Sequence, residues 1–336
     1  MNLFFAQDRW IYAAYHRAKR LEINDESKLV LFSDCHRGTG AGADNFAKNQ
    51  KLYYVALGHY YRNGFTYIEL GDGDELWEER HMADITAEYD HIFGLLADFY
   101  RAGRLHMIYG NHDMVKGRAD WAQKNLRAYC PGNQTVPVPL FPHITVSEAI
   151  LLHHTPSGRE LLLLHGHQAD FFNYRLWWLG RFLVRYLWQP LELLGMQNPF
   201  DTPRRAKRRN RTEKILEQWG EKTNIPIVAG HTHRPILPQG GEGAYYNTGS
   251  AVHTRYITAI EIEQGALALV KWEVAAKEDG TLYITKEPVT GPRNMEQCRE
   301  RVKHISSFGK GGNAVQCTTI VVSRISTQSA YAHLWP

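Results

Sequence analysis

Cysteine is scarce in this chain, with four residues in 336: Cys35, Cys130, Cys298 and Cys317, in neither paired nor zinc-finger spacing. A disulfide framework and a cysteine-bound metal are therefore not expected, and a reducing cytoplasm is. No uninterrupted apolar run reaches about 18 residues, which argues against a membrane span. The first twenty residues interleave Asp8, Arg9, Arg17, Lys19 and Arg20 with apolar positions, unlike a secretory leader. Internal repeats are missing, and Phe308 to Gly312 has neither the spacing nor the following helix of a phosphate loop. What remains, 43% hydrophobic and 22% charged, is the composition of a globular chain long enough for one large domain or two ordinary ones. The net charge of +4 is uneven, because Phe171 to Lys222 carries eleven Lys/Arg against five Asp/Glu.

The apolar periodicity predicts an amphipathic helix over Asp8–Leu21, then a strand over Leu29–Phe32. A helix from about Asn45 to Arg62, a strand over Phe65–Leu70, a helix near Thr86–Tyr100 and a strand over Leu105–Tyr109 follow. Alternation of this kind argues for βαβ units, hence strands whose carboxyl ends lie on one side. Pro131–Pro142 reads as loop. Ile150–His154 and Glu160–Leu164 read as a hairpin about Ser157-Gly158, and strand character returns at Ile225–Ala229. Tyr245 to about Lys286 alternates short β runs with turns such as Glu278-Asp279-Gly280. Beyond Pro292 only Thr318–Val322 reads as a strand.

Polar clusters stand at the strand ends: Asp34/His36, Asp72, Asn111/His112, His165 and His231/His233, most of them beside glycine. In extended chain, residues two apart share a side, so Asp34 and His36 can close on one ion. Carboxylates, one amide oxygen and imidazoles form a mixed O/N set suited to Mn, Fe, Zn or Co. There are more candidates than one tetrahedral ion needs, and two ions bridged by a carboxylate would use them. Cys35, alternating with its neighbours, reads as core. His153 and His154 read as structural, His167 as a neighbour of the ligands, and Asp74 or Glu75 could support a ligand.

The order Asp-x-His, Gly-Asp, Gly-Asn-His-Asp, His-Gly-His, Gly-His-Thr-His over about residues 29–255 resembles the calcineurin-like metallophosphoesterase superfamily. The resemblance implies an α/β fold with four α-β-β-α layers and a domain over residues 1–292. A tail, 293–336, follows, too weakly patterned to assign. It implies two divalent ions, manganese foremost. Asp34, His36 and His233 would hold the first, Asn111, His165 and His231 the second, and Asp72 both. Hydrolysis of a phosphoester or pyrophosphate by a hydroxide shared between the ions is the implied reaction. His112 would bind the phosphate and protonate the leaving oxygen, and Asp113 would orient His112. Arg37 reads equally as a phosphate clamp or a solvated loop arginine.

Residues 170–222 read as a helical cap inserted between the fourth and fifth motifs. Phe171–Phe200 holds nine aromatics, and Arg204–Arg211 has six basic residues of eight. On one continuous helix Arg175, Arg181 and Arg185 would fall within about 120° of the circumference, which makes Arg181 and Arg185 candidate substrate contacts. With Gly230–Pro235, the cap resembles the UDP-2,3-diacylglucosamine diphosphatase branch. That implies a small or lipid-linked phosphorylated substrate and peripheral membrane contact by a cytoplasmic protein. The cap reads equally as packed on its own domain or a dimer mate. The competing functions are a serine/threonine protein phosphatase and, from another class, a nucleic-acid-binding module using residues 204–211. Nucleic acid is not the expected partner.

Overall fold

In the computed structural model the described residues are 3–41, 44–132, 134, 136–184, 186, 203–238 and 243–295. They all fall within one compact unit, Met1–Glu300. The chain begins with α1 (Leu3–Arg17) and β1 (Lys19–Ile23), then β2 (Leu29–Phe32), α2 (Gln50–Arg62), β3 (Thr66–Leu70), α3 (Met82–Glu88), α4 (Asp90–Arg101) and β4 (Leu105–Ile108). Next come α5 (Ala119–Asn125), the short pair β5 (Ala128–Tyr129) and β6 (Val138–Pro139), β7 (Val146–Ser147) and the hairpin β8 (Ala149–His154) with β9 (Arg159–Leu164). The inserted segment contains α6 (Phe171–Arg175), α7 (Trp177–Leu183) and α8 (Pro203–Thr223). The last elements are β10 (Ile227–Ala229), β11 (Tyr245–Asn247), β12 (Tyr256–Glu263), β13 (Ala266–Ala276) and β14 (Leu282–Asn294).

Beside the β5–β6 pair, two larger sheets form among the described residues, ordered β1-β8-β9-β10-β11 and β14-β13-β12-β2-β3-β4-β7. Alternation along each strand sends side chains to opposite faces, and the buried clusters show the four expected layers. Leu29, Leu31, Ile68 and Leu70 from one sheet meet Ile150, Leu152, Leu161 and Leu163 from the other. Val30, Phe32 and Tyr67 face outwards against α2 and α4. Leu151, Leu162 and Leu164 face outwards against Ile11 of α1 and Leu216 and Trp219 of α8. Strands β2, β3 and β4 run parallel, so their carboxyl ends share one edge. Cys35 packs in the core as expected, while His153 meets Glu22 and His154 meets Asp25 and Ser157, away from that edge.

Three expectations are corrected. The first helix stops at Arg17, and Lys19–Ile23 is an edge strand parallel to β8; its inward Leu21 and Ile23 fit a period of two. The C-terminal strands are long, with β13 and β14 turning at Lys277–Thr281, and Met295 ends buried between the sheets. The inserted helix breaks at Leu176, so Arg175 and Arg181 belong to different helices and form no single stripe. Arg185 and Thr318–Val322 lie outside the described residues.

Below the shared edge lies a dry ionic layer. Arg37 donates from Nε to Asp74 Oδ1 at 2.6 Å and from Nη2 to Glu69 Oε2 at 2.8 Å, and all three are buried. Lys116 Nζ lies 2.6 Å from Asp74 Oδ2, 2.7 Å from Asp113 Oδ2 and 3.6 Å from Glu69 Oε1. Arg37 is therefore neither a phosphate clamp nor solvated; it underpins the loop after β2. Burial would depress the Lys116 pKa, but Asp113 and Asp74 hold it above its ordinary value. Removing one partner of such a network strands buried charge. Lys116→Met is expected to lower stability by about 3–5 kcal/mol, measured as a fall in the urea unfolding free energy.

Candidate metal centre

Each motif loop leaves its strand through unusual backbone. Asp34, His36, Asp72, His231 and His233 all have positive φ, between 49° and 67°. A non-glycine residue held there costs about 1–2 kcal/mol, and such strain persists only where surroundings over-determine it. Here they do. The loop after β2 is zipped to the loop after β3, with Asp34 N–H donating to Gly71 O (3.1 Å), His36 N–H to Asp72 O (2.9 Å) and Arg37 N–H to Gly73 O (3.0 Å). Glycine permits the close approach: a Cβ at Gly110 would collide with the Asp72 carboxylate, and one at Gly230 with Asp34 and Ser33.

The loops gather six of the predicted ligands into two clusters, Asp34/His36/His233 and Asp72/His165/His231, and a third, His36/Asp72/His112, overlaps both, each with ligand atoms within 4.8 Å of one another. His36 Nε2 stands 3.8 Å from both Asp34 Oδ1 and Asp72 Oδ2, linking the clusters. The carboxylates are pinned by one oxygen. Asp34 Oδ2 accepts from the His231 N–H at 2.9 Å and from the Ser33 hydroxyl, and Asp72 Oδ1 accepts from the His112 N–H at 2.8 Å. Imidazole tautomers are set in the same way. His165 Nδ1–H donates to Leu70 O at 2.8 Å, and His36 Nδ1–H to Glu75 Oε2 at 2.9 Å, so both present Nε2 to the cluster. His231 Nε2 accepts from Asn173 Nδ2 of α6 at 3.3 Å, leaving its Nδ1 available to the cluster.

Among the predicted ligands, Asp34 Oδ1, Asn111 Oδ1 and His165 Nε2 are buried without hydrogen bonds. Buried polar atoms are rarely orphaned unless something else satisfies them. Asp34 Oδ1 is 3.1 Å from His233 Nε2, and Asp72 Oδ2 is 3.1 Å from His165 Nε2. Neighbouring ligand atoms on a divalent ion bound at about 2.1 Å are similarly spaced. Charge points the same way. Asp34, Glu69, Asp72, Asp74, Glu75 and Asp113 are buried at and below these loops, with Asp170 beside His231, against two buried cations there, Arg37 and Lys116. That excess of buried negative charge suits bound cations. The residues therefore fit divalent ions, which Asp34, His36 and His233 would hold on one side and Asp72, His165 and His231 on the other. The remaining acid group, Glu69/Asp74/Asp113, is already occupied by Arg37 and Lys116.

His112 belongs to the linking cluster with His36 and Asp72, and its Nδ1–H donates to Glu75 Oε1 at 2.7 Å. That corrects the expectation for Asp113. Asp113 Oδ1 accepts from the N–H of Gly110 (2.7 Å) and Asp72 (3.2 Å), and its Oδ2 from Gly73 (3.1 Å). It braces backbone, while Glu75 orients both His36 and His112. Burial would raise Glu75, but His112 and His36 hold it at about 2. His167 is buried between Tyr109, Tyr174 and His165 with neither nitrogen hydrogen-bonded, and burial drives it to the neutral form. Arg181 is on α7, half buried. Sequence reasoning missed Trp77, Lys116 and Glu69. The acidic Glu69 inside an apolar strand was the available signal.

Residues 27–235 match the model of the calcineurin-like phosphoesterase family. No curated protein matches. Among solved structures, Vps29 from Chaetomium thermophilum is similar at 12% identity, covering 78% of this chain and 95% of its own, with a TM-score of 0.35. The cold-active protein-tyrosine phosphatase of a psychrophilic Shewanella species is similar at 16% identity, covering 79% and 83%, with a TM-score of 0.38.

Metal uptake should release protons. Without metal, burial would lower His165, but Asp72 and Asp34 push it up to about 9, and Asp34 and Glu75 raise His36 against the same burial. Both are then protonated at neutral pH and must lose that proton to ligate. Apparent Mn(II) affinity is expected to rise with pH up to about 9. Calorimetric titration in buffers of differing ionisation enthalpy checks this by the protons released per ion.

Proposed function

This chain belongs to the calcineurin-like phosphoesterase family and is a phosphoester hydrolase, and from that premise we propose how its site works and on what. The observation that carries the proposal is the pair of ligand clusters Asp34/His36/His233 and Asp72/His165/His231, joined by the contact of His36 with Asp72, in which Asp34 Oδ1 and His165 Nε2 are buried without hydrogen bonds. Two divalent ions bound there, manganese foremost, supply Lewis acidity towards phosphoryl oxygens and bring the pKa of water towards neutrality. The chain's own residues do the rest. Asp34 and Asp72 stay ionised, because neighbouring imidazoles outweigh the burial that would protonate them. Leu70 O and Glu75 hold the His165 and His36 tautomers. His112, fixed by Glu75 through Nδ1, keeps Nε2 to hydrogen-bond phosphate and deliver a proton to the leaving oxygen.

For substrate, the cap supports a phosphorylated molecule with an apolar or lipid-linked portion, such as a UDP-diacylglucosamine. Helices α6 and α7 expose Phe172, Trp178, Leu179, Phe182 and Leu183, and Tyr186 follows. An apolar tail can lie there while its phosphate reaches His112. The same aromatic surface, with the basic run 204–211 later in the same inserted segment of the sequence, supports peripheral contact with an anionic membrane. Among the described residues no helix is long and apolar enough to cross one.

The Mn-loaded chain is expected to hydrolyse bis-p-nitrophenyl phosphate. Asp72→Ala should abolish this activity, and His112→Gln should slow hydrolysis of esters with poor leaving groups by about 10²–10⁴-fold. Inactivity of the unaltered chain under several metals would sink the reading. Comparing UDP-diacylglucosamine, its deacylated analogue and phosphopeptides tests the substrate. Preference for phosphopeptides would favour the protein-phosphatase alternative, and salt-sensitive nucleic-acid retention without hydrolysis the binding-module alternative.

A further inference from the structure

Trp77 is in contact with three parts of the site at once. Its ring stacks on the His112 imidazole, with centroids 4.1 Å apart and planes at 17°. Its Nε1–H donates to the carbonyl of Asn111 at 2.6 Å. Its backbone N–H donates at 3.3 Å to Glu75 Oε1, the same oxygen that receives His112 Nδ1–H. His112 is thus held along its edge by Glu75 and across its face by the indole.

The far edge of the same indole meets the cap. A Cβ on Gly180 of α7 would lie 3.1 Å from Trp77 Cη2 and 3.3 Å from Cζ3. Glycine inside a helix costs about 1 kcal/mol relative to alanine, and here it lets the helix come down onto the ring. Trp77 therefore fills the gap between α7 and the imidazole. A planar, rigid side chain stacked on one group and packed under another transmits displacement instead of absorbing it.

We propose that Trp77 is a positioning residue through which the α6–α7 cap sets the His112 imidazole, so that contacts made by the non-reacting part of the substrate on the cap are felt at proton transfer to the leaving oxygen. The idea rests on the role of His112 given above. Binding energy gained far from the phosphorus is then used to orient the acid, which raises kcat instead of lowering KM.

The test uses the full chain loaded with Mn(II) and aryl phosphates whose leaving phenols run from nitrophenol to unsubstituted phenol. Nitrophenolate leaves without help, whereas phenolate needs the proton. Trp77→Leu, and Gly180→Val with the indole retained, are expected to lose about ten- to a hundredfold in kcat on the phenol ester and about threefold or less on the nitrophenol ester, with KM little changed. Trp77→Leu combined with His112→Gln should be no slower than His112→Gln alone. Equal losses along the series, or additive losses in the double variant, overturn the proposal.

A second readout needs no turnover. In the metal-free chain the His112 Cε1–H resonance, assigned by its loss in His112→Gln, is displaced by the indole ring current and should shift in both single variants. An unmoved resonance in Gly180→Val overturns the link to the cap. If the unaltered chain hydrolyses no aryl phosphate, the functional reading falls, and the resonance still decides the placement of His112.

Discussion

Six carboxylates are buried at the carboxyl edge of β2, β3 and β4, and neutralising them is the constraint the structure is arranged around. An isolated ionised carboxylate in a dry interior costs many kcal/mol, so each must find positive charge or hydrogen-bond donors. The chain divides the task by depth. Arg37 and Lys116 satisfy the lower tier of Glu69, Asp74 and Asp113. The upper tier of Asp34, Asp72 and Glu75 is left to imidazoles and backbone N–H groups. The lower tier is filled by side chains and therefore closed. In the upper tier Asp34 Oδ1 is buried without a hydrogen bond and lies against His233 and His36, which marks it as the candidate site.

The two tiers are mechanically joined. Asp113 accepts hydrogen bonds from Gly110, Asp72 and Gly73 while touching Lys116, so the ion pair beneath sets the backbone that carries Asp72 and Asn111. Strained left-handed residues survive at Asp34, His36 and Asp72 because paired loops and buried charge leave the backbone no lower alternative. The cap is joined in the same sense. Asp170 accepts from the N–H groups that open α6, Asn173 reaches His231, and Gly180 lies on Trp77. The inserted segment thus touches the candidate site directly, through His231 and Trp77.

Much of this was legible in the chain. Apolar runs of four or five residues ending in Asp34, Asp72 and Asn111, separated by helical periodicity, give parallel strands and one common edge, because periodicity and connection length are local properties. The seven metal-ligand candidates followed from their strand-end positions and from the resemblance those motifs carried. Asp8–Leu21 was misread where it ended, since a basic edge strand of five residues resembles the last turns of an amphipathic helix until its partner, β8, is known.

What the sequence determined by itself was the fold class, the reacting edge and the candidate ligands, all written as spacing along the chain. Only the tertiary structure decided which charges face the metals and which face one another. Arg37 adjoins His36 in sequence, yet its side chain turns down to Glu69 and Asp74. Asp113 adjoins His112, yet Glu75 orients that imidazole. The reason is that a buried charge takes whatever partner lies closest in space, and at a point where four loops meet that partner comes from another loop.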